Sequence, residues 1–249
     1  MPELIALRYS PWSEKARWAL DHHRIDYTET EYLPMLGTPV LRWRLGRWRG
    51  PVTVPALVDD GVALGDSTDI ALHADAIGQG PSLFRVGRER EMQRWDRLAE
   101  RAMSAGRLRA IERVLADPVA VQESVPSTLK ALPGPLRDSA VRTVAQHLRR
   151  KYPVDTRDFE TTMRDALRQL RDALGPGRYV LGRFSYADIV MAQILQFVRP
   201  HDPARLGLGP ASVRAWTASL LEDEFADLLA WRDALYRDHR SASGSDAPA

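Results

Sequence analysis

The first eighty residues alternate between strand and helix patterns, and this order constrains the fold more than any other feature of the chain. Helical periodicity begins at Ser13 and again at Ser67. A stretch rich in Gly and Pro leaves room for a short helix at 40–45. Apolar, β-branched or alternating runs predict strands at 4–9, 27–32, 54–58 and 62–64. The order β-α-β-α-β-β-α predicts an α/β domain.

The Gly-Gln-Gly-Pro segment at 78–81 is a breaker cluster and predicts the end of this domain. Beyond it the patterns are helical, with no convincing pair of strands. We therefore expect four parts. They are an α/β domain at 1–80, a linker at 81–87, an all-helical domain at 88–240 and a disordered tail at 241–249. The helices are expected at 88–113, 136–151, 158–174, 186–198, 211–221 and 224–236.

Charge and composition narrow the class of protein. The 249 residues carry 35 Lys and Arg against 33 Asp and Glu, a net charge of +2. Basic and acidic residues alternate along most of the chain, so no nucleic-acid partner is expected; a basic run at 42–49 is the exception. The absence of cysteine excludes disulfides and a cysteine nucleophile. No apolar run approaches the ~20 residues that span a bilayer, so we expect a cytoplasmic protein with no membrane partner.

Three short segments could bind a small anionic ligand. Ser10 and Ser13 flank a junction between strand and helix, where backbone N–H groups and the helix dipole favour an anion. Val54-Pro55 begins a strand, and its extended backbone can pair with a peptide-like ligand. Asp66-Ser67 precedes a helix that Ser67 can cap. Taken alone, the two serine segments are better explained as plain helix caps, and Val54-Pro55 as a proline that leads into a strand.

A fourth segment is a folding feature. Ser185 and Asp188 have the spacing of a capping box, and Phe184 and Ile189 have the spacing of a hydrophobic staple. Together these four residues predict the start of the buried helix at 186–198. We assign this segment no catalytic role.

The four segments, in this order and spacing, resemble the cytosolic glutathione transferase superfamily over residues 3–237. The segment at 10–17 is similar to the serine-type active-site turn of its tau, theta and zeta classes. Val54-Pro55 resembles its cis-proline strand, and Asp66-Ser67 its Glu-Ser or Gln-Ser pair. The resemblance implies a thioredoxin-like N-terminal domain, an all-helical C-terminal domain and glutathione as co-substrate.

The resemblance also implies roles for single residues. Ser10 would donate a hydrogen bond to the glutathione sulfur, with Ser13 as the second candidate. Trp12 would wall the acceptor pocket. Val54 would hold the cysteinyl backbone next to a cis Pro55.

The resemblance also implies which residues bind the two ends of the glutathione molecule. Ser67 would bind the γ-glutamyl carboxylate and Asp66 its amino group. Thr53 stands where the family often has Lys or Gln, so Arg47 or Arg49 is a candidate partner for the glycyl carboxylate, as a guanidinium suits a carboxylate. Solvated arginines flanking packed tryptophans are an equally good interpretation of both.

Two classes of function remain. One is a glutathione transferase that conjugates an electrophile or reduces a hydroperoxide, as in detoxification. The other is a non-catalytic relative that binds ligands or proteins. The histidines lack metal-ligand spacing, so no metal site is expected. The resemblance and the apolar residues of 88–103 lead us to expect a homodimer.

Overall fold

The fold is described from a computed structural model, which covers residues 1–34, 36–125, 134–151 and 158–240. The tail predicted at 241–249 lies outside these ranges. Within them, none of the helices is both long enough and apolar enough to cross a lipid bilayer.

The N-terminal part has the predicted β-α-β-α-β-β-α order. Its elements are β1 (Glu3–Ala6), α1 (Pro11–His22), β2 (Thr28–Glu31), α2 (Thr38–Arg44), β3 (Ala56–Asp59), β4 (Val62–Leu64) and α3 (Ser67–Ile77). The strands form one mixed sheet in the order β2-β1-β3-β4. β1 pairs in parallel with β2 and antiparallel with β3, and β3 pairs antiparallel with β4. This is the arrangement of a thioredoxin-like domain, as the sequence predicted.

Several boundaries in this part differ from the prediction. β1 ends at Ala6 rather than residue 9, β2 is Thr28–Glu31 rather than 27–32, and α2 is Thr38–Arg44 rather than 40–45. α1 begins at Pro11 rather than Ser13, because Ser10 is the cap and proline suits the first helical position. β3 begins at Ala56 rather than residue 54, because Val54 and Pro55 lie before its first pair with β1. The tight turn is confirmed: Asp60 and Gly61 join β3 to β4, both with positive φ.

The remaining described elements are helical, which confirms the predicted class of the C-terminal part. They are α4 (Glu89–Ala116), α5 (Pro118–Glu123), α6 (Gly134–Lys151), α7 (Phe159–Leu174), α8 (Tyr186–Ile194), a 3-10 turn (Leu195–Phe197), α9 (Pro203–Leu206), α10 (Pro210–Trp216), α11 (Ser219–Glu224) and α12 (Ala226–His239).

Several helix boundaries were predicted wrongly. α5 and α9 were not predicted, because each opens with an Asp cap followed by proline, and this dipeptide also occurs in turns. The helix expected at 211–221 is two helices, since the extended backbone of Thr217 separates them. The helix expected at 186–198 ends at Ile194 and continues as the 3-10 turn.

The capping box of the central helix is confirmed. Every residue of α8 is buried. The Asp188 carboxylate accepts hydrogen bonds from the backbone N–H of Ser185 at 2.9 Å and of Val180 at 2.8 Å. Because these donors satisfy its oxygens, the carboxylate can lie in the core, and it fixes where α8 begins.

One hydrophobic core joins the two parts of the chain. Trp18 of α1 is fully buried and belongs to the same cluster as α4, α7 and α8. Its indole N–H donates to the carbonyl of His239 at 3.2 Å, and its ring lies 4.5 Å from the ring of Tyr236. α1 therefore faces the sheet on one side and the helical part on the other.

Charged side chains of α1 are buried as well. Glu14 accepts from Arg240 Nε at 2.8 Å, and Arg240 also pairs with Asp21. Arg17 donates to both carboxylate oxygens of Glu29 at 2.7 Å. Burial alone would raise the pKa of Glu14, but the positive charges of Arg240 and Arg17 outweigh it and lower the pKa below its ordinary value.

We predict that Arg240→Met destabilises the fold by about 3–5 kcal/mol at neutral pH, because it leaves buried carboxylates without their partner. A carboxylate with a lowered folded-state pKa stabilises the fold above its ordinary pKa, and this contribution disappears as the pH falls. The difference from wild type should therefore shrink below the ordinary pKa of 4.5. Urea unfolding across pH tests this. Arg237→Met, an exposed change in the last turn of α12, three residues before Arg240, should have little effect.

Candidate functional site

The site residues predicted from sequence meet at one edge of the sheet. Ser10 follows β1, and Val54 precedes β3, the antiparallel partner of β1. Ser67 follows β4, which runs antiparallel to β3. The end of β1, the start of β3 and the end of β4 lie at the same edge of the sheet for this reason. Two helices, α1 and α3, begin there.

Ser10 is the cap of α1. Its Oγ accepts a hydrogen bond of 3.4 Å from the backbone N–H of Ser13, and the residue is 8% exposed. Within the described ranges its hydroxyl has no protein acceptor. A ligand atom at this helix N-terminus could therefore accept the hydroxyl proton, in a place where the helix dipole stabilises negative charge.

Ser13 lies differently. It is completely buried, and its Oγ accepts a hydrogen bond of 3.1 Å from the backbone N–H of Leu7. The backbone N–H of Ser10 donates to the carbonyl of Leu7 at 3.2 Å. Ser13 thus closes the loop between β1 and α1, and the structure does not bring its hydroxyl to the surface of the site.

Aromatic side chains connect this turn to the helical part. Trp12 donates its indole N–H to Glu100 at 2.6 Å, and the guanidinium of Arg107 lies 4.6 Å from its ring centroid. Tyr9 meets Trp216 edge to face at 6.2 Å. Tyr9 is 36% exposed as a whole residue, but desolvation of its phenol and the negative charge of Glu31 raise its pKa to about 12, so the phenol stays protonated at neutral pH.

The peptide bond between Val54 and Pro55 is cis, as the resemblance implied. In the part of the chain that the structure covers, neither the N–H nor the carbonyl of Val54 has a backbone partner. Thr53 Oγ1 donates to the carbonyl of Gly65 at 3.3 Å, which ties this loop to the start of α3. The backbone of Val54 is thus free to pair with a peptide-like ligand.

The cap of α3 is Asp66 and not Ser67, which corrects the sequence prediction. Asp66 Oδ1 accepts from the backbone N–H of Thr68 at 2.7 Å and of Asp69 at 3.4 Å. Ser67 is the first helical residue and its side chain is buried, while the neighbouring Thr68 Oγ1 lies 3.5 Å from the phenol oxygen of Tyr186. A carboxylate at this end of α3 would have the remaining N–H of Ser67 to bind, while Asp66 offers its negative charge to an amino group.

A buried cation beneath the two helix starts was missed by the sequence analysis. Lys15 is almost fully buried, with its Nζ 3.5 Å from Asp96 Oδ1, and the other oxygen of Asp96 accepts from Thr68 at 3.2 Å. Burial would lower the pKa of Lys15, but Tyr186 and the carboxylates of Asp96 and Glu100 outweigh it and raise the pKa. Asp96 of α4 thereby links α1 to α3. Only the tertiary contact identifies this link, because a lone Lys in a helix pattern predicts an exposed side chain.

Arg47 and Arg49 differ in position. A Cβ on Gly65 would lie 3.4 Å from Arg47 Nη1, so the Arg47 guanidinium lies directly beside the residue before Asp66. Both arginines are exposed, and among the described residues no contact places Arg49 at this edge. Among the described side chains, no group of three or more His, Asp or Glu could hold a metal ion.

Comparison with known proteins agrees with this geometry. Residues 9–77 match the family model described as glutathione S-transferase, N-terminal domain. No curated protein matches the chain. Among solved structures it is similar to a glutathione S-transferase from Methylobacillus flagellatus KT with glutathione bound, with 18% identity, 95% of each chain covered and a TM-score of 0.57.

Two further structures are similar to the same extent. The β-etherase LigF from Sphingobium sp. strain SYK-6 is 17% identical over 94% of each chain, with a TM-score of 0.57. A glutathione transferase from Phanerochaete chrysosporium is 16% identical over 94% of each chain, with a TM-score of 0.56. At these identities the likeness establishes a shared fold over nearly the whole chain.

We predict that Asp66→Ala destabilises the fold by about 1 kcal/mol, because α3 loses the acceptor for two N–H groups. Asp66→Asn should keep most of the stability, since its amide oxygen can still cap the helix. Thermal unfolding of the three proteins measures both effects. Equal stability of Asp66→Ala and wild type would show that Asp66 is not the cap.

Proposed function

We propose that the protein is a serine-type glutathione transferase. The match of residues 9–77 to the glutathione S-transferase N-terminal domain and the shared fold over nearly the whole chain support this proposal. The protein would bind glutathione and activate the thiol for attack on an electrophile or a hydroperoxide. The observation that carries the proposal is the hydroxyl of Ser10, which caps α1 and has no acceptor among the described residues.

Ser10 would act on the sulfur. A free thiol has a pKa of about 8.5, and a hydrogen-bond donor at a helix N-terminus lowers it. The Ser10 hydroxyl and the dipole of α1 would therefore favour the thiolate, which is the nucleophile. Ser13 is the weaker candidate because its buried Oγ is occupied by the N–H of Leu7.

The peptide would be held by neighbouring groups. The N–H and carbonyl of Val54, which have no backbone partner among the described residues, would pair with the cysteinyl backbone beside the cis Pro55. The N–H of Ser67 would bind the γ-glutamyl carboxylate and Asp66 the amino group. The buried charge of Lys15 supports this end of the site, because it offsets the nearby carboxylates.

The acceptor would lie toward the helical part, against the aromatic rings of Tyr9, Trp12 and Trp216. These rings connect the Ser10 turn to α4 and α10. They suit an apolar or aromatic electrophile better than a charged one. A cytoplasmic location, a role in detoxification and a homodimer remain predictions.

The alternative is a protein that uses the same fold for binding without catalysis. The feature that favours it is the Asp66 carboxylate at the start of α3, because its negative charge opposes a ligand carboxylate there. Retention on glutathione-agarose, followed by a conjugation assay with an aromatic electrophile, separates the two. Retention without turnover would support the binding protein.

We predict that Ser10→Ala lowers the conjugation rate by ~10²–10³, the usual effect of removing one donor to a reacting anion. Glutathione affinity should change little, since other groups hold the peptide. The pH of half-maximal rate should rise, because the thiol pKa moves toward its free value. Rates across pH and calorimetry of glutathione binding measure these effects.

Ser13→Ala is the matched control. It should keep the rate and its pH profile well below the unfolding temperature, and lose about 1–3 kcal/mol of stability because the N–H of Leu7 loses its acceptor. If Ser10→Ala stays active and Ser13→Ala is inactive, the thiol-activating role belongs to Ser13. If both keep the wild-type rate and profile, backbone and dipole alone stabilise the thiolate.

We predict that Arg47, and not Arg49, binds the glycyl carboxylate. Arg47→Gln should weaken glutathione binding about tenfold, or by about 1.4 kcal/mol, and Arg49→Gln should not. γ-Glutamylcysteine, which lacks the glycyl residue, should bind wild type and Arg47→Gln equally well. Calorimetry with both ligands tests this, and an equal loss of affinity for both would rule out a role at the glycyl end.

A further inference from the structure

The segment at 32–58 has a charge that the rest of the chain does not share. Its 27 residues contain Arg42, Arg44, Arg47 and Arg49 but no Asp, Glu or Lys. The segment therefore carries +4, and the remainder of the chain carries −2, which is +2 minus +4. An anion that approaches this segment meets no carboxylate within it.

α2 is apolar on two faces. Leu41 and Leu45 are buried and pack with Val52 and other residues of a small core. Val40 and Trp43 face the solvent, although both are large and apolar. A helix that is apolar on both faces normally has a partner on each, and among the described residues the outer face of α2 has none.

Two more exposed apolar side chains, Leu36 and Trp48, flank α2 in the sequence. Leu36, Val40, Trp43 and Trp48 are each 59% to 69% exposed, and we call these four residues together with Arg49 the α2 patch. The four apolar members of the patch are among the thirteen large apolar side chains that are exposed in the described ranges. Such a concentration within thirteen positions of the sequence marks an interaction surface.

The arginines around the patch are held near its apolar side chains. The guanidinium of Arg44 lies 5.6 Å from the ring centroid of Trp43 and pairs with Glu3. Arg42 donates to the carbonyl of Arg47 at 3.2 Å and of Gly50 at 2.7 Å, and so closes the loop that carries Trp48. The exposed indoles and the guanidinium groups therefore belong to the same short segment of the chain.

We propose that the α2 patch attaches the protein to an anionic phospholipid surface. Tryptophan and arginine beside aliphatic side chains are the composition of segments that lie at the boundary between headgroups and acyl chains. Arg49 and its neighbours would meet the lipid phosphates and carboxylates. Attachment to a membrane surface needs no spanning helix. The proposal departs from the sequence-based expectation that the protein has no membrane partner.

Other occupants fit less well. A second copy seated symmetrically on the same patch would bring two +4 segments together, and Glu3 offsets one of the four charges in each copy through Arg44. A single-stranded nucleic acid could stack on the indoles, but it would leave the aliphatic side chains of Leu36 and Val40 without a partner. A lipid surface accepts the indoles, the aliphatic groups and the guanidinium together. The proposal does not depend on the glutathione site.

The test is co-sedimentation of the full chain with two kinds of vesicle. One kind contains phosphatidylcholine alone, and the other contains phosphatidylcholine with about one-third phosphatidylserine. Wild type should partition onto the anionic vesicles only. Trp43→Ser with Trp48→Ser, and separately Arg49→Glu, should each weaken this partitioning about tenfold. The matched control, Leu220→Ser with Arg90→Glu, changes one exposed Leu and one exposed Arg outside the patch. This control protein should bind the vesicles like wild type. Circular dichroism and thermal unfolding establish that each variant is folded.

Bromine-labelled anionic lipids give a second readout. They should quench the fluorescence of wild type and should not quench the Trp43→Ser, Trp48→Ser protein. Four results would overturn the proposal: no sedimentation, equal sedimentation with both kinds of vesicle, unchanged partitioning of the patch variants, or quenching that survives loss of both tryptophans. Binding of a single-stranded oligonucleotide or of polyglutamate without binding of vesicles would also overturn it, and would assign the patch to another partner.

Discussion

The burial of helix α1 on both sides is the constraint on which the rest of the structure depends. Its apolar residues fill the space between the sheet and the helical part, and Trp18 reaches Tyr236. Its charged residues must then be paired inside the protein, because a buried charge without a partner costs several kcal/mol. Arg240 therefore meets Glu14, and Asp96 meets Lys15. These pairs fix the position of the helix whose N-terminus holds Ser10.

Local patterns predicted most of the N-terminal part. The Asp-Asp-Gly turn, the strand at 62–64 and the helix from Ser67 were placed correctly, because turn chemistry and periodicity act over a few residues. The capping box of Ser185 and Asp188 was also correct, since both its partners lie within one turn. The short helices that open with an Asp and a proline were missed, because the same dipeptide also occurs in turns.

The sequence predicted which residues form the candidate site better than it predicted the contacts that those residues make. The segments around Ser10, Val54 and Ser67 were identified by order and spacing, and sheet pairing brings them to one edge. The sequence does not distinguish Asp66 from Ser67 as the cap, since either side chain can accept from the first turn. Nor does it reveal that Lys15 is buried, because its partner Asp96 is 81 positions away.

The shared core has a consequence for how the chain behaves as a unit. The boundary between the sheet-containing part and the helices is clear in topology, but Trp18 and Leu20 belong to one hydrophobic cluster with α8. Cutting the chain after α3 would expose this apolar surface and leave Glu14 and Asp21 without Arg240. The thioredoxin-like part is therefore a separate domain in its topology but depends on the helical part for its stability. Cooperative unfolding of both parts as one transition follows from that sharing.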